Sequence, residues 1–208
     1  MPKKESLLKL ALSLTLITAV AGIALAAVFS VTEKPIEEMK LKKKNDAIKL
    51  VLPQEFDGTI ETPVEYILDG DQKPVIIHPA FQEDKLFAVA VETYTDKAFS
   101  GSFSIMVGLD IEGTVLGSEI LEHSETPGLG DKINKKKSDF PNQFVGKNLN
   151  TSILKVKKDN GDIDAITAAT ISSRSYCDAV NRAYSALKIY LENNNQSTNK
   201  EEVLYEYE

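Results

Sequence analysis

From Leu10 to Val31 the chain runs for 22 residues without a charge, dominated by Leu, Ala, Val and Ile. At ~1.5 Å per residue a helix of that length reaches ~33 Å, enough to cross the ~30 Å hydrocarbon core of a bilayer. No face of the segment is polar, which argues against a buried helix of a soluble domain. Ala24-Leu25-Ala26 offers small residues to a signal peptidase, but the run exceeds the ~7–15 apolar residues of a cleaved signal. The pattern predicts a retained single-pass anchor over residues 10–31, preceded by a short N-terminal stretch, residues 1–9.

Beyond the anchor the pattern changes twice. Residues 32–52, and Pro35 to Leu52 in particular, read as a charged helix next to the membrane. Residues 53–192 then show short β-branched and aromatic runs separated by turn signals: Val64–Leu68, Val75–His78, Leu86–Tyr94, Ser104–Asp110 and Thr114–Leu121. Residues 109–113 read as a hairpin connection between the last two. Lys135–Phe144 predicts a short helix interrupted by Pro141, and Ile153–Lys157 and Ile163–Ile166 predict further strand. In the closing helix Tyr176, Val180, Tyr184, Leu187 and Leu191 form one apolar stripe that needs a sheet to cover it. Cys177 beside the stripe reads as a packed small residue. Residues 193–208 are polar and read as a mobile tail. The expected class is α+β: one domain with an antiparallel sheet and packed helices.

Composition narrows the function. The chain has 208 residues, 31 acidic and 24 basic, for a net charge of −7. No basic cluster with interleaved aromatics is present, which argues against nucleic-acid binding. A single cysteine excludes an internal disulfide framework. Lysines flank the anchor on both sides, Lys3, Lys4 and Lys9 before it and Lys34, Lys40, Lys42, Lys43 and Lys44 after it, so charge counting alone does not place the N-terminus inside. A short N-terminal tail before a long C-terminal domain points to an extracytoplasmic domain.

Two strings carry candidate chemistry. Asp164–Ser173, D-A-I-T-A-A-T-I-S-S, sets Thr170 among small residues just before the closing helix. A helix start offers free N–H groups and the positive end of the dipole, a seat for phosphate. The plain alternative is capping, with Ser172 or Ser173 as N-cap. His123–Gly130, H-S-E-T-P-G-L-G, follows a strand and forces a shaped loop. His123 and Glu125 suggest metal ligands or an acid/base pair, but with His78 the only other histidine and the lone Cys177 on a helix, no ligand set is complete.

Both strings resemble the FMN-binding family: the first its flavinylation motif, the second, E-T-P-G-L-G, its flavin-contacting loop. The resemblance implies FMN held by a phosphodiester bond on Thr170. It implies that Asp164, Thr167 and Ala169 form a motif read by a separate FMN transferase using FAD and Mg2+, with release of AMP. Glu125, Thr126, Gly128, Leu129 and Gly130 would contact the flavin, with Leu129 on the ring, and Ser172 and Ser173 would complete the site. The family usually has Gly where Ala168 stands, a small steric change if the backbone there is not left-handed.

Over nearly the whole chain, including Ser100–Asp110 and the Q-F-V-G-K string at Gln143–Lys147, the pieces resemble the G-subunit family of the Rnf complexes, ion-translocating ferredoxin:NAD+ oxidoreductases. That implies a redox subunit without acid or base catalysis, in the bacterial inner membrane, with its domain on the periplasmic side. The implied partners are the other Rnf subunits, including a second flavinylated membrane subunit. The homologous C-subunit family of the Na+-translocating NADH:quinone oxidoreductases, typically longer, is the alternative. A membrane-anchored flavin-binding sensor or structural module is the alternative of another class.

Overall fold

The apolar run belongs to one helix, α1, Leu7–Val51, with Pro35 inside it. The structure, a computed structural model, describes the backbone of residues 7–205 and the side chains of residues 7–194; the first residues of the short N-terminal stretch and the last of the tail lie outside the described residues. The charged stretch after the anchor is helical too and continuous with the apolar run. The Lys- and Glu-rich stretch that follows the apolar run is built of good helix formers, so the helix continues through it. Within the apolar run, hydroxyls turn back onto the helix: Thr15 Oγ1 donates to Ala11 O at 2.9 Å and Ser30 Oγ to Ala26 O at 2.9 Å. Such back-bonding satisfies polar groups that lipid cannot. The chain forms two units, α1 as far as Lys43 and a domain from Lys44 onward.

The domain is built on a curved, wholly antiparallel sheet. Its strands are β1 (Thr59–Ile60), β2 (Val64–Tyr66), β3 (Val75–Gln82), β4 (Lys85–Ala98), β5 (Gly101–Asp110) and β6 (Val115–Glu122). The order is β1-β3-β4-β5-β6, with β2 sharing the edge of β3 beside β1. Register shifts at Ala80/Phe81, Thr95/Ala98, Ser104/Ile105 and Gly108/Leu109 mark the bulges that bend it. The five expected strands are all present; β1 is additional.

Both faces of the sheet are covered. On one, Val89, Val91, Ile105, Val107 and Leu109 pack against α2 (Thr170–Tyr205), which brings Tyr176, Val180, Ala183 and Leu187. Phe140 and Phe144 meet Tyr176 at ring distances of 5.3 and 4.8 Å. The Tyr176 hydroxyl pairs with Ser118 Oγ at 2.7 Å, and burial raises its pKa. On the other face the last turns of α1, with Ala47, Ile48 and Val51, sit on Ala80, Ala88, Ala90 and Met106. Ala90, Gly108 and Gly117 are register partners across β4, β5 and β6. These small residues let the helix backbone come down onto the sheet.

Three expectations are corrected. Ile153–Lys157 and Ile163–Ile166 make no strands; a lone parallel bridge joins Val156 to Ile163, and the chain between them closes at Asn160, with φ of 59°. Lys135–Phe144 holds only a 3-10 turn, Phe140–Phe144, begun by Pro141. The closing helix runs on to Tyr205, through residues expected to form a tail.

Candidate functional site

Helix α2 begins at Thr170 because the chain turns sharply just before it. Ala168 has φ of 62°, and Ala169 N–H donates to Ile166 O at 3.0 Å. That is the left-handed region, where a Cβ costs roughly 1–2 kcal/mol. The condition under which the Ala168 methyl would be a small change is therefore not met.

Ser172 and Ser173 are not N-caps. Both lie in the first turn of α2 and are buried, with their hydroxyls facing neighbouring loops. Ser173 Oγ accepts from Ile166 N–H at 2.9 Å and donates to Ala169 O at 2.9 Å. Ser172 Oγ donates to Glu125 Oε2 at 2.5 Å. Thr170 is partly exposed. Among the described residues no hydrogen bond engages its hydroxyl.

The loop that follows β6 is shaped by Gly128, with φ of 77°, and by Thr126 O, which accepts from Leu129 N–H and Asp131 N–H at 3.2 and 3.3 Å. Glu125 is 5 % exposed. Its Oε1 accepts from Ser100 N–H at 2.9 Å, so one carboxylate ties the β4–β5 turn to the loop and to the start of α2. Gly130 leaves room for that carboxylate: a Cβ there would lie 2.2 Å from Glu125 Oε2 and 2.8 Å from Ser172 Oγ.

These elements enclose a cleft of about 330 Å³. Of the residues expected at the site, Glu125, Thr126, Leu129, Gly130, Ala169, Thr170 and Ser172 line it, whereas Gly128, Thr167, Ser173 and Asp164 do not. Asp164 pairs with Lys157 at 2.8 Å. Its main chain is clasped by the Gln143 amide, which accepts from Asp164 N–H at 2.9 Å and donates to Asp164 O at 3.2 Å. The Q-F-V-G-K string thus holds the first residue of the Thr170 motif. His123 Nδ1 accepts from Glu125 N–H at 3.2 Å, an intra-loop brace. Cys177 lies 3 % exposed among core residues, its thiol pushed up to about 12 by burial. Near it the Arg174 guanidinium, bonded to Asp159, holds that carboxyl below its ordinary value.

Two lining residues were not singled out from sequence, Phe99 and Ile171. They are 66 % and 46 % exposed, and Leu129 is 43 % exposed, so three large apolar side chains stand in water around the cleft. Ile171 follows Thr170 directly and was within reach of a helical reading. Phe99 sits in a turn more than seventy residues before Thr170, where nothing local marks it.

The cavity lies at the small end of the ~300–1,000 Å³ typical of ligand sites. It combines exposed apolar surface suited to a flat ring, a hydroxyl with no partner among the described residues, and a helix N-terminus suited to phosphate. The residues present fit a flavin mononucleotide.

Residues 99–185, which contain every residue lining the cleft, match the FMN-binding domain. Fold and cleft together define an FMN-binding domain on a chain whose first helix is long and apolar enough to cross a membrane. The match to known proteins extends further. The G subunit of the ion-translocating oxidoreductase complex of Shewanella baltica (strain OS223) is 34 % identical over 193 residues, covering 88 % of this chain and 89 % of the relative. The proteins of the same name from Salmonella typhimurium (strain LT2) and Escherichia coli (strain K12) are each 34 % identical, over 186 and 185 residues, covering 86 % of this chain and 90 % of each relative. The chain belongs to the G-subunit family of the ion-translocating oxidoreductase complexes.

Proposed function

We propose that this chain is the flavin-carrying electron-transfer subunit of an ion-translocating oxidoreductase complex and holds FMN covalently on Thr170 Oγ1. One observation carries the assignment. Of the hydroxyls in the Asp164–Ser173 string, those of Ser172 and Ser173 are buried and bonded. Thr167 does not line the cleft, whereas Thr170 does. A separate transferase using FAD and Mg2+ recognises Asp164, Thr167 and Ala169. Thr170 Oγ1 loses its proton and gains the FMN phosphoryl group of FAD, and AMP leaves.

When bound, FMN supplies reversible electron transfer. The rest is the protein's work. The first N–H groups of α2 would hold the phosphate end. Phe99, Leu129 and Ile171 would offer apolar surface to the ring and lose water in doing so. Glu125, through Ser100 and Ser172, holds the three walls together. No acid or base is needed. The partners are the other members of the complex, including its second flavinylated membrane protein. The anchor lies in the bacterial inner membrane with the N-terminus cytoplasmic and the domain extracytoplasmic.

The test is intact mass of the protein purified from its native membrane, with peptide mapping over Asp164–Arg174. An FMN phosphodiester on the Thr170 peptide, absent in Thr170→Ala, is expected. Covalent flavin retained by Thr170→Ala would sink the assignment.

A further inference from the structure

Among the residues lining the cleft, only Glu125 has an ionisable side chain. Its carboxylate is 5 % exposed, and both oxygens are held by uncharged donors, Ser100 N–H at 2.9 Å and Ser172 Oγ at 2.5 Å. Gly130 leaves the room it occupies, since a Cβ at 130 would stand 2.2 Å from Oε2. A carboxylate that accepts two hydrogen bonds is stabilised without being neutralised. Among the described residues no cationic side chain lines the cleft to offset it.

We propose that Glu125 lowers the electron affinity of this site, placing one fixed negative charge beside the ring and so making its reduction harder. The inference rests on the reading of Thr170 as the FMN attachment point. Each electron that arrives brings a negative charge into a cleft where the effective dielectric is nearer ~20 than 80, so the two charges repel more strongly than in water. Ser172 and Ser100 set the strength of the effect, because each donor draws charge from the carboxylate. Glu125 also positions the walls, but charge and tether are separable: glutamine keeps the length and an acceptor while losing the charge.

The experiment is a spectroelectrochemical titration of the flavin in the full-length protein purified from its native membrane, for wild type, Glu125→Gln and Ser172→Ala. Glu125→Gln is expected to favour the reduced form at least tenfold, which for one electron is ~59 mV higher in midpoint. Ser172→Ala strips a donor from an intact charge and is expected to move the midpoint the opposite way. A Glu125→Gln midpoint at or below wild type overturns the proposal, as do two variants that shift in the same direction. If Glu125→Gln does not accumulate as folded protein, the sign for Ser172→Ala decides: a lower midpoint supports the role of the charge, and one at or above wild type overturns it. Intact mass on the same samples separates the two readings. Wild type without FMN on Thr170 overturns the attachment assignment and this inference with it; FMN present with an unmoved midpoint overturns the Glu125 role alone.

Discussion

Gly108 lies so close under Val51 that a Cβ at 108 would stand 2.1 Å from the Val51 carbonyl oxygen. The contact is backbone to backbone, so no side chain can swing away to relieve it. Gly108→Ala is expected to lower unfolding free energy by ~1–3 kcal/mol, the usual cost of overpacking, measured by urea denaturation of the full chain in detergent. Gly117→Ala should cost less, because its nearest new contact is Val51 Cα at 3.0 Å. Equal costs for the two would show that closeness to Val51 does not control them.

At Ala168 the direction reverses. With φ of 62° the alanine sits where glycine is favoured. Relief of the ~1–2 kcal/mol left-handed penalty, less the extra chain entropy that glycine loses, leaves a gain of about 0.5–1 kcal/mol for Ala168→Gly. A higher thermal midpoint is the expected reading; a lower one would mean that the methyl makes a contact worth more than the strain.

Tyr176 and Ser118 form a buried pair at 2.7 Å. Tyr176→Phe strands the Ser118 hydroxyl and is expected to cost ~1–3 kcal/mol. Adding Ser118→Ala removes the stranded group, so the double variant should be more stable than Tyr176→Phe alone. Strict additivity in that cycle would remove the hydrogen bond from the account.

His78 gives the domain a pH dependence. Burial holds its imidazole below the ordinary 6.5, Lys44 adds to the effect and Glu92 opposes it, while Nε2 is buried without a partner among the described residues. Below 6.5 the unfolded chain binds the proton first, so stability falls as pH drops through 6.5 and levels off once the folded form is protonated too. His78→Gln is expected to flatten the stability profile between about pH 7 and about pH 5. The amplitude is small, because the ring is only partly buried. Urea midpoints that fall equally steeply in both proteins would place the titrating group elsewhere.

Much of this was legible in residue order. The strands announced themselves through Val, Ile and aromatic runs because both faces of the sheet are covered, and the Tyr176–Leu191 stripe marked the inner face of α2. Residues from both strings, at 123–130 and 164–173, line one cleft. The failures have local causes. β1 is two residues on an edge, too short for a period to show. Val156 and Ile163 are β-branched but belong to a loop closed by a left-handed Asn160. Ser172 and Ser173 have cap chemistry, yet their hydroxyls serve Glu125 and Ile166, partners 47 and 7 residues away. Phe99 reaches the cleft only through the β4–β5 turn, a tertiary fact no window of sequence contains.

Cys177 has a practical consequence. It is the only thiol of the chain, and burial with a pKa pushed up to about 12 keeps it in the unreactive protonated form. Native protein is therefore silent to a membrane-impermeant maleimide, and any single cysteine added at the surface reports against a blank background. Lys4→Cys and Glu112→Cys, labelled in intact cells, would read out which end of the chain faces the outside, the question raised by three lysines before the anchor and five after it.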